Sequence, residues 1–500
     1  MKRILSVFAA LLLTLPPLLS FAGCATQSKK QVLRVYNWED YISTSNSGDG
    51  EETADDSVPD LIAEFEKEYG VTVEYSTFGT NENMYNELKI NAAGYDLVCP
   101  SDYMIMKMIN EDMVEPFSEE FIQNGTYSTY ASPLIKELFE ENGWTQYAAA
   151  YMWGTMGFVY NPAYVDAEDL SSWAGIWDSK YAKKSTIKDS VRDSYFLGVA
   201  YVYREELTDL ADQYSAGTLN STEYKSAIET IMNRTDAETR NRVKDALLEL
   251  KPNLYGFEVD SGKQDMITGK ITINFAWSGD AVYSMDEAEN SESGNPVYLN
   301  YAIPKECTNI WFDGWVMPKG ANTELAEKFI DFLSRPENAV ANMNYIGYTS
   351  AVGGDAVFDE MVDWYDESAD PENRGFDEDG NALQKYDLNY FFQGTGDYDD
   401  YIIYVSEDNL NRQIYAQYPS ASESDNVILR SAIMKNFTNE ETAAVNEMWE
   451  EVKGLPIPVW AYIVIAVIAA GILIIALSYV YKGKRKSTKP KKGYHRVPTK

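Results

Sequence analysis

Two periods of apolar and polar positions alternate along the body of the chain. VLRVYNW (32–38) is strand-like, and PDLIAEFEKEYG (59–70) carries an amphipathic helical stripe that Gly70 stops. VTVEYSTFG (71–79) is a strand again, and NENMYNELKINAAG (81–94) predicts a helix. YDLVCPS (95–101) predicts a strand, followed by the helix DYMIMKMINED (102–112) with Ser101 at its N-cap. Strands and helices taken in turn predict α/β units. The stretch 43–57, STSNSGDGEETADDS, is polar and contains glycine, so it predicts an inserted surface loop; 369–380 and 394–400 are similar acidic loops. DEDGN (377–381) is read as a turn, because a calcium-loop register would put Gly375 at the first ligand position.

The two ends differ from this body. MKRILSVFAALLLTLPPLLSFAG (1–23) has a basic start, an apolar run and small closing residues, which predicts a secretory signal peptide. Ala22-Gly23-Cys24 resembles a bacterial lipoprotein box with Cys24 as the lipidated residue, although Phe21 stands where leucine is usual. Residues 459–481 run for 23 positions without a charge, long enough for one transmembrane helix. Trp460 and Tyr462 flank one end, and Tyr479 and Tyr481 the other. The basic tail 482–500 is then cytoplasmic by the positive-inside rule, with the body outside the cell membrane.

Charge narrows the function classes. The ends hold 4 and 9 of the 42 basic residues and no acidic ones, so 31–453 carries 29 basic against 78 acidic side chains. Such a body repels nucleic acid and attracts cations. The single histidine, His495, lies in the tail. Histidine-based nucleophilic catalysis and histidine-ligated metals are therefore excluded from the body, leaving carboxylate, lysine or tyrosine chemistry to any enzyme. No CxxC motif is present. Cys99 precedes PSDY and Cys307 precedes the IWFDG segment; an oxidising location permits a disulfide between them, the alternative being two buried thiols.

VYNWEDY (35–41) ends a strand in aromatic and acidic residues, a combination suited to a cationic guest. With YSTFGTNENMYNELK, YDLVCPSDYMIMKM, AAAYMWGTMGFVYN, SSWAGIWDSKYAKK, MITGKITINFAWSGDAVYSM, NIWFDGWVMPKG, YIGYTSA and AAVNEMWEEVK, it forms an ordered set over most of 31–453. The set resembles the spermidine/putrescine-binding proteins of bacterial ABC-type importers. The resemblance implies a two-lobed, periplasmic-binding-protein-like α/β fold with the ligand in an interlobe cleft. It implies a first lobe from 31–148 and 312–350 and a second from 149–311 and 351–453, joined by crossing segments.

A polyamine is a methylene chain bearing ammonium groups. Each ammonium taken from water needs oxygen partners, and the methylenes need flat apolar walls. Carried over position by position, the resemblance implies a box of Trp38, Tyr41, Ser101, Tyr103, Trp277, Trp311 and Tyr348, with Asp313 as a principal anion. The other acidic anchor is expected from KDSVRDS: alignment on Arg192 matches Asp193 to an acid but leaves Ser190 where another is common. Asp189 either compensates or caps the next helix. Asp280 stands where a small residue is common, as an amine partner or a cap, and Glu39 replaces a smaller polar residue. Trp153, Trp173 and Trp177 are read as core. The expected partners are a polyamine, a membrane and ABC permease subunits with a separate ATPase; no cofactor or metal is implied. The alternatives are a receptor for another cationic solute, an extracellular glycosidase using a carboxylate pair, or a sensor, for which a 19-residue tail is short.

Overall fold

A computed structural model describes residues 30–44, 59–290, 296–370 and 374–454. The 1–23 signal segment, Cys24, most of the 43–57 loop, the 459–481 span and the 482–500 tail lie outside the described residues. Among the described residues no helix is long and apolar enough to cross a membrane.

Strand β1 (Val32–Trp38) buries Leu33, Val35 and Asn37 on one face and half-buries the other, as a strand between two parallel neighbours must. Those neighbours are β2 (Thr72–Phe78) and β3 (Leu97–Val98). The intervening helices form where the sequence pattern put them. Leu61–Tyr69 is capped by Asp60 and stopped by Gly70 at φ 67°, and Asn81–Asn91 is capped by Thr80. The short β4 (Val114–Glu115) pairs antiparallel with Met317 and Pro318.

Two long strands connect the halves. β5 (Ala148–Tyr160) is buried at all 13 positions, a continuous run made of small and aromatic residues. The second half of the molecule adds β6 (Ser185–Lys188), β7 (Leu254–Glu258), β8 (Ile273–Trp277) and β9 (Asn300–Ala302). β10 (Thr308–Pro318) returns antiparallel to β5 and is likewise buried throughout. β11 (Thr349–Ser350) pairs with β5. The resulting order is β2-β1-β3-β10-β5-β8-β6-β7, so each crossing strand carries one lobe's sheet on its outer side. The register of β5 with β10 shifts between Asp313 and Gly314. Trp153 and Trp173 are core residues as expected, and Trp177 is half-buried with its indole donating to Ala246 O.

The expected lobe boundaries need one correction. The helix Asn439–Lys453 packs with Val191–Val202 and Ala237–Leu250. Residues 351–405, by contrast, pack on the first lobe. Ser132 N donates to Ala351 O, Gly353 N to Tyr130 O, and the helix Asn389–Phe392 lies against Pro133–Glu141. The cause is apolar: Phe358, Phe391, Phe392 and Tyr401 share a core with Leu134, Leu138 and Phe139.

Of the two readings of Cys99 and Cys307, a permitted disulfide or two buried thiols, the structure has the second: both are free, buried thiols. Cys99 follows β3, which meets β10 at Val316, whereas Cys307 precedes the other end of β10 and contacts Met232. A strand advances about 3.3 Å per residue, so the length of β10 separates them. Alkylation of the denatured, unreduced protein is therefore expected to label the peptides of both Cys99 and Cys307. A disulfide-linked peptide pair would contradict this placement.

Candidate functional site

Ser101 occupies the N-cap of the helix Asp102–Asn110 with extended backbone, yet its hydroxyl does not cap. It donates instead to Asp313 Oδ1 at 2.7 Å, while the Tyr41 hydroxyl donates to Asp313 Oδ2 at 2.8 Å. Asn81 holds Ser101 from both sides: its side-chain oxygen accepts from Ser101 N, and its amide donates to Ser101 Oγ and Tyr103 Oη. Tyr151 fixes the other arm by donating to Tyr41 O. Two hydroxyls from the first lobe thus converge on a carboxylate of a crossing strand.

Asp313 is 8% exposed, and among the described residues no Lys or Arg pairs with it. Burial pushes its carboxyl up to about 6, against which only the Ser101 and Tyr41 hydroxyls act. The walls are aromatic. Tyr41 meets Tyr348 edge-on at 5.7 Å, and Trp311 lies 5.6 Å from Tyr348. Two glycines make room for this packing. A Cβ on Gly154 would collide with Trp311, and one on Gly279 would fall inside the Tyr348 ring.

Tyr348 also joins this box to a second cluster by donating to Asp280 Oδ1 at 3.0 Å. There Lys188, at the end of β6, is 1% exposed and pairs with Asp280 Oδ2 at 2.9 Å and Glu258 Oε1 at 3.2 Å. Its ammonium lies 4.2 Å from the Trp277 ring centre. Burial opposes the charge of Lys188, but both acids outweigh it and raise the ammonium's pKa. Burial likewise raises the Asp280 carboxyl, yet Lys188 and Lys263 hold it below the usual range.

The remaining expected residues divide. Trp38 is half-buried against Phe78 at 4.5 Å, and its indole N–H is buried without a partner among the described residues. Tyr103 offers its ring to Arg192, whose guanidinium sits 4.7 Å from it and 3.7 Å from Phe437. Asp193 is buried; burial raises its carboxyl, partly offset by Ser190, Lys188 and Trp277. Asp189 is not gathered with the others. Its carboxylate is held by Lys453 at 2.5 and 2.8 Å, and Ser190, not Asp189, caps the helix Val191–Val202.

Sequence reasoning missed Asn81, Asp102, Lys188 and Glu258. Asp102 is 2% exposed, and burial with the nearby Asp313 pushes it up to about 8. The available signals were weak: Asp102 lies inside PSDY, and Lys188 closes the short, otherwise uncharged strand STIK.

The model of the bacterial extracellular solute-binding protein family matches residues 60–356. The spermidine/putrescine-binding periplasmic protein of Salmonella typhimurium is 28% identical over 328 residues, covering 65% of this chain and 79% of that protein. The putrescine-binding periplasmic protein SpuD of Pseudomonas aeruginosa is 29% identical over 343 residues, covering 67% and 82%. In fold, the chain is similar to the spermidine/putrescine ABC transporter substrate-binding protein PotD of Streptococcus pneumoniae. That match has a TM-score of 0.55 and 24% identity, covering 85% of this chain and 99% of that one. The Tp0655 lipoprotein of Treponema pallidum gives a TM-score of 0.53 at 18% identity, with 84% and 99% covered.

A buried acid without a counter-ion costs stability. In the unfolded chain an aspartate titrates near about 3.9. The rise to about 6 in the fold costs on the order of 3 kcal/mol above pH 6. The folded protein holds the proton more tightly, so the cost grows from about pH 4 and is constant above about pH 6. Asp313→Asn is expected to raise the thermal midpoint of the free protein at pH 7.5, with the gain vanishing toward pH 4. A lower midpoint at pH 7.5 would mean that Asp313 has a cationic partner within the fold.

Proposed function

Since the chain belongs to the bacterial extracellular solute-binding proteins, we propose that it is a polyamine receptor that captures its ligand in the interlobe cleft and hands it to an ABC permease. The observation that carries this reading is Asp313, a buried carboxylate oriented by two hydroxyls, walled by Tyr41, Trp311 and Tyr348, and lacking a cation among the described residues. A ligand ammonium supplies the missing charge. Aromatic faces add about 0.5 to 2 kcal/mol per cation, and the same rings cover methylenes. The names of the relatives, which refer to spermidine and putrescine, support the same class.

Receptor action breaks no bond. Asp280, which Tyr348 links to the box, is already neutralised by Lys188, so it offers no free second carboxylate for the acid pair of a glycosidase. An anionic solute is disfavoured for the same electrostatic reason: Asp313 would repel it. The body is held outside the membrane by the lipid on Cys24, by the 459–481 span, or by both, with the basic tail inside.

Calorimetry with putrescine and spermidine tests the binding reading. Asp313→Asn leaves a ligand ammonium buried without its anion, which costs on the order of 3 to 5 kcal/mol, or roughly two to four decades in affinity. It should weaken every polyamine, whereas Trp277→Ala should fall unequally on chains of different length. Undiminished binding by a folded Asp313→Asn protein would refute the site. Affinity of the parent should also fall below about pH 6, where Asp313 takes up a proton that the ligand must displace.

Topology has its own check. In protoplasts, external protease should digest the body and spare a tag placed after Lys500. A tag lost from outside would reverse the orientation.

A further inference from the structure

The Lys188 ammonium is recognised as a ligand amine would be. Its three N–H groups meet Asp280 Oδ2 at 2.9 Å, Glu258 Oε1 at 3.2 Å and Val259 O at 2.8 Å, and its charge lies 4.2 Å from the Trp277 ring centre. Carboxylates, a carbonyl and an indole face are the full set that a desolvated ammonium needs. The chain fills that set itself, from the carboxyl end of β6 beside the carboxyl end of β8.

Charge in the cleft then divides unevenly. Asp280 and Glu258 are answered by Lys188, with Lys263 a further 3.7 Å from Asp280. Asp313, Asp193 and Asp102 are buried, and among the described residues none has an ion-pair partner; Asp102, pushed up to about 8 by burial and by Asp313, keeps its proton near neutral pH. Arg192, next to Asp193 in sequence, turns its guanidinium between Tyr103 and Phe437 and donates to Lys435 O.

Resting on the polyamine reading above, we propose that Lys188 is a specificity-determining residue: its tethered ammonium takes one amine position of the cleft, so the receptor prefers a diamine to a triamine. With Asp102 protonated, two uncompensated acids, Asp313 and Asp193, match two ammoniums. A third ammonium meets an occupied, positively charged position and has no acid left to desolvate it. The aromatic wall at Trp277 remains, but its cation site is spent on the fold.

The test is the ratio of putrescine to spermidine affinity, measured by calorimetry on the full chain. The parent should favour putrescine by about tenfold or more, each decade being about 1.4 kcal/mol. Lys188→Met removes the tethered charge at similar length and should shift the ratio toward spermidine by about tenfold or more. Because that change leaves Asp280 and Glu258 buried without their lysine, Lys188→Met/Glu258→Gln is the companion variant. It keeps the cluster's net charge while vacating the ammonium position, and it should show the same shift. A ratio unmoved in whichever variant folds, or a parent that favours spermidine, overturns the role of Lys188 while leaving the polyamine reading intact. A folded parent that binds neither polyamine overturns both.

Discussion

The antiparallel ladder between β5 and β10 is the constraint on which the rest depends. Both strands are buried along their whole length, so neither can twist out to solvent without exposing a continuous apolar run. One lobe's parallel strands attach through β3 to β10, the other's through β8 to β5. β1, β6 and β8 point their carboxyl ends toward this seam, the place where open α/β sheets as a class bind their ligands. The register shift at Asp313/Gly314 falls within the ladder, and it is there that a charged side chain is accepted in an otherwise uncharged strand.

That acceptance is costly in one half of the cleft and not in the other. Asp313 receives two hydroxyl donors but no cation, so its charge is only partly compensated. Asp280 and Glu258 are as deeply buried, yet Lys188, with Lys263 at 3.7 Å from Asp280, compensates them within the fold. A buried pair of this kind adds little net stability over an apolar core, but removing one partner is severe. The fold is therefore complete on the Lys188 side and incomplete on the Asp313 side. The asymmetry identifies where binding energy remains available.

Much of the fold was legible because local signals agreed with their tertiary use. Asp60 and Gly70 bound a helix in the structure where they bounded one in the sequence. The rule fails in an instructive way at Ser101. The cap position is right, but the hydroxyl leaves the helix for Asp313, which no local pattern reveals because the partner is 212 residues away. Asp189 and Ser190 both suit an N-cap by type; a distant lysine, Lys453, decides between them. Lys188 was invisible for the same reason, since its acids lie 70 and 92 positions downstream. The lobe boundary at 351 failed because chain order does not reveal which apolar core the Phe391–Phe392 pair joins.

These long-range contacts also tie ligand capture to the relation of the lobes. Tyr41 and Ser101 reach Asp313 from the first lobe, and Tyr348 passes the contact to Asp280 in the second. Tyr103 of the first lobe stacks on Arg192 of the second, and Lys107 donates to Asn439 Oδ1 at the start of the closing helix. The two lobes are thus held together by a chain of polar and aromatic contacts that begins at the carboxylate a ligand would neutralise. Asp313 and its two donors stay together on the first-lobe side, where Ser101 bridges Asp313 directly and β3 pairs with β10, so separating the lobes would break the Tyr348–Asp280, Tyr103–Arg192 and Lys107–Asn439 contacts instead.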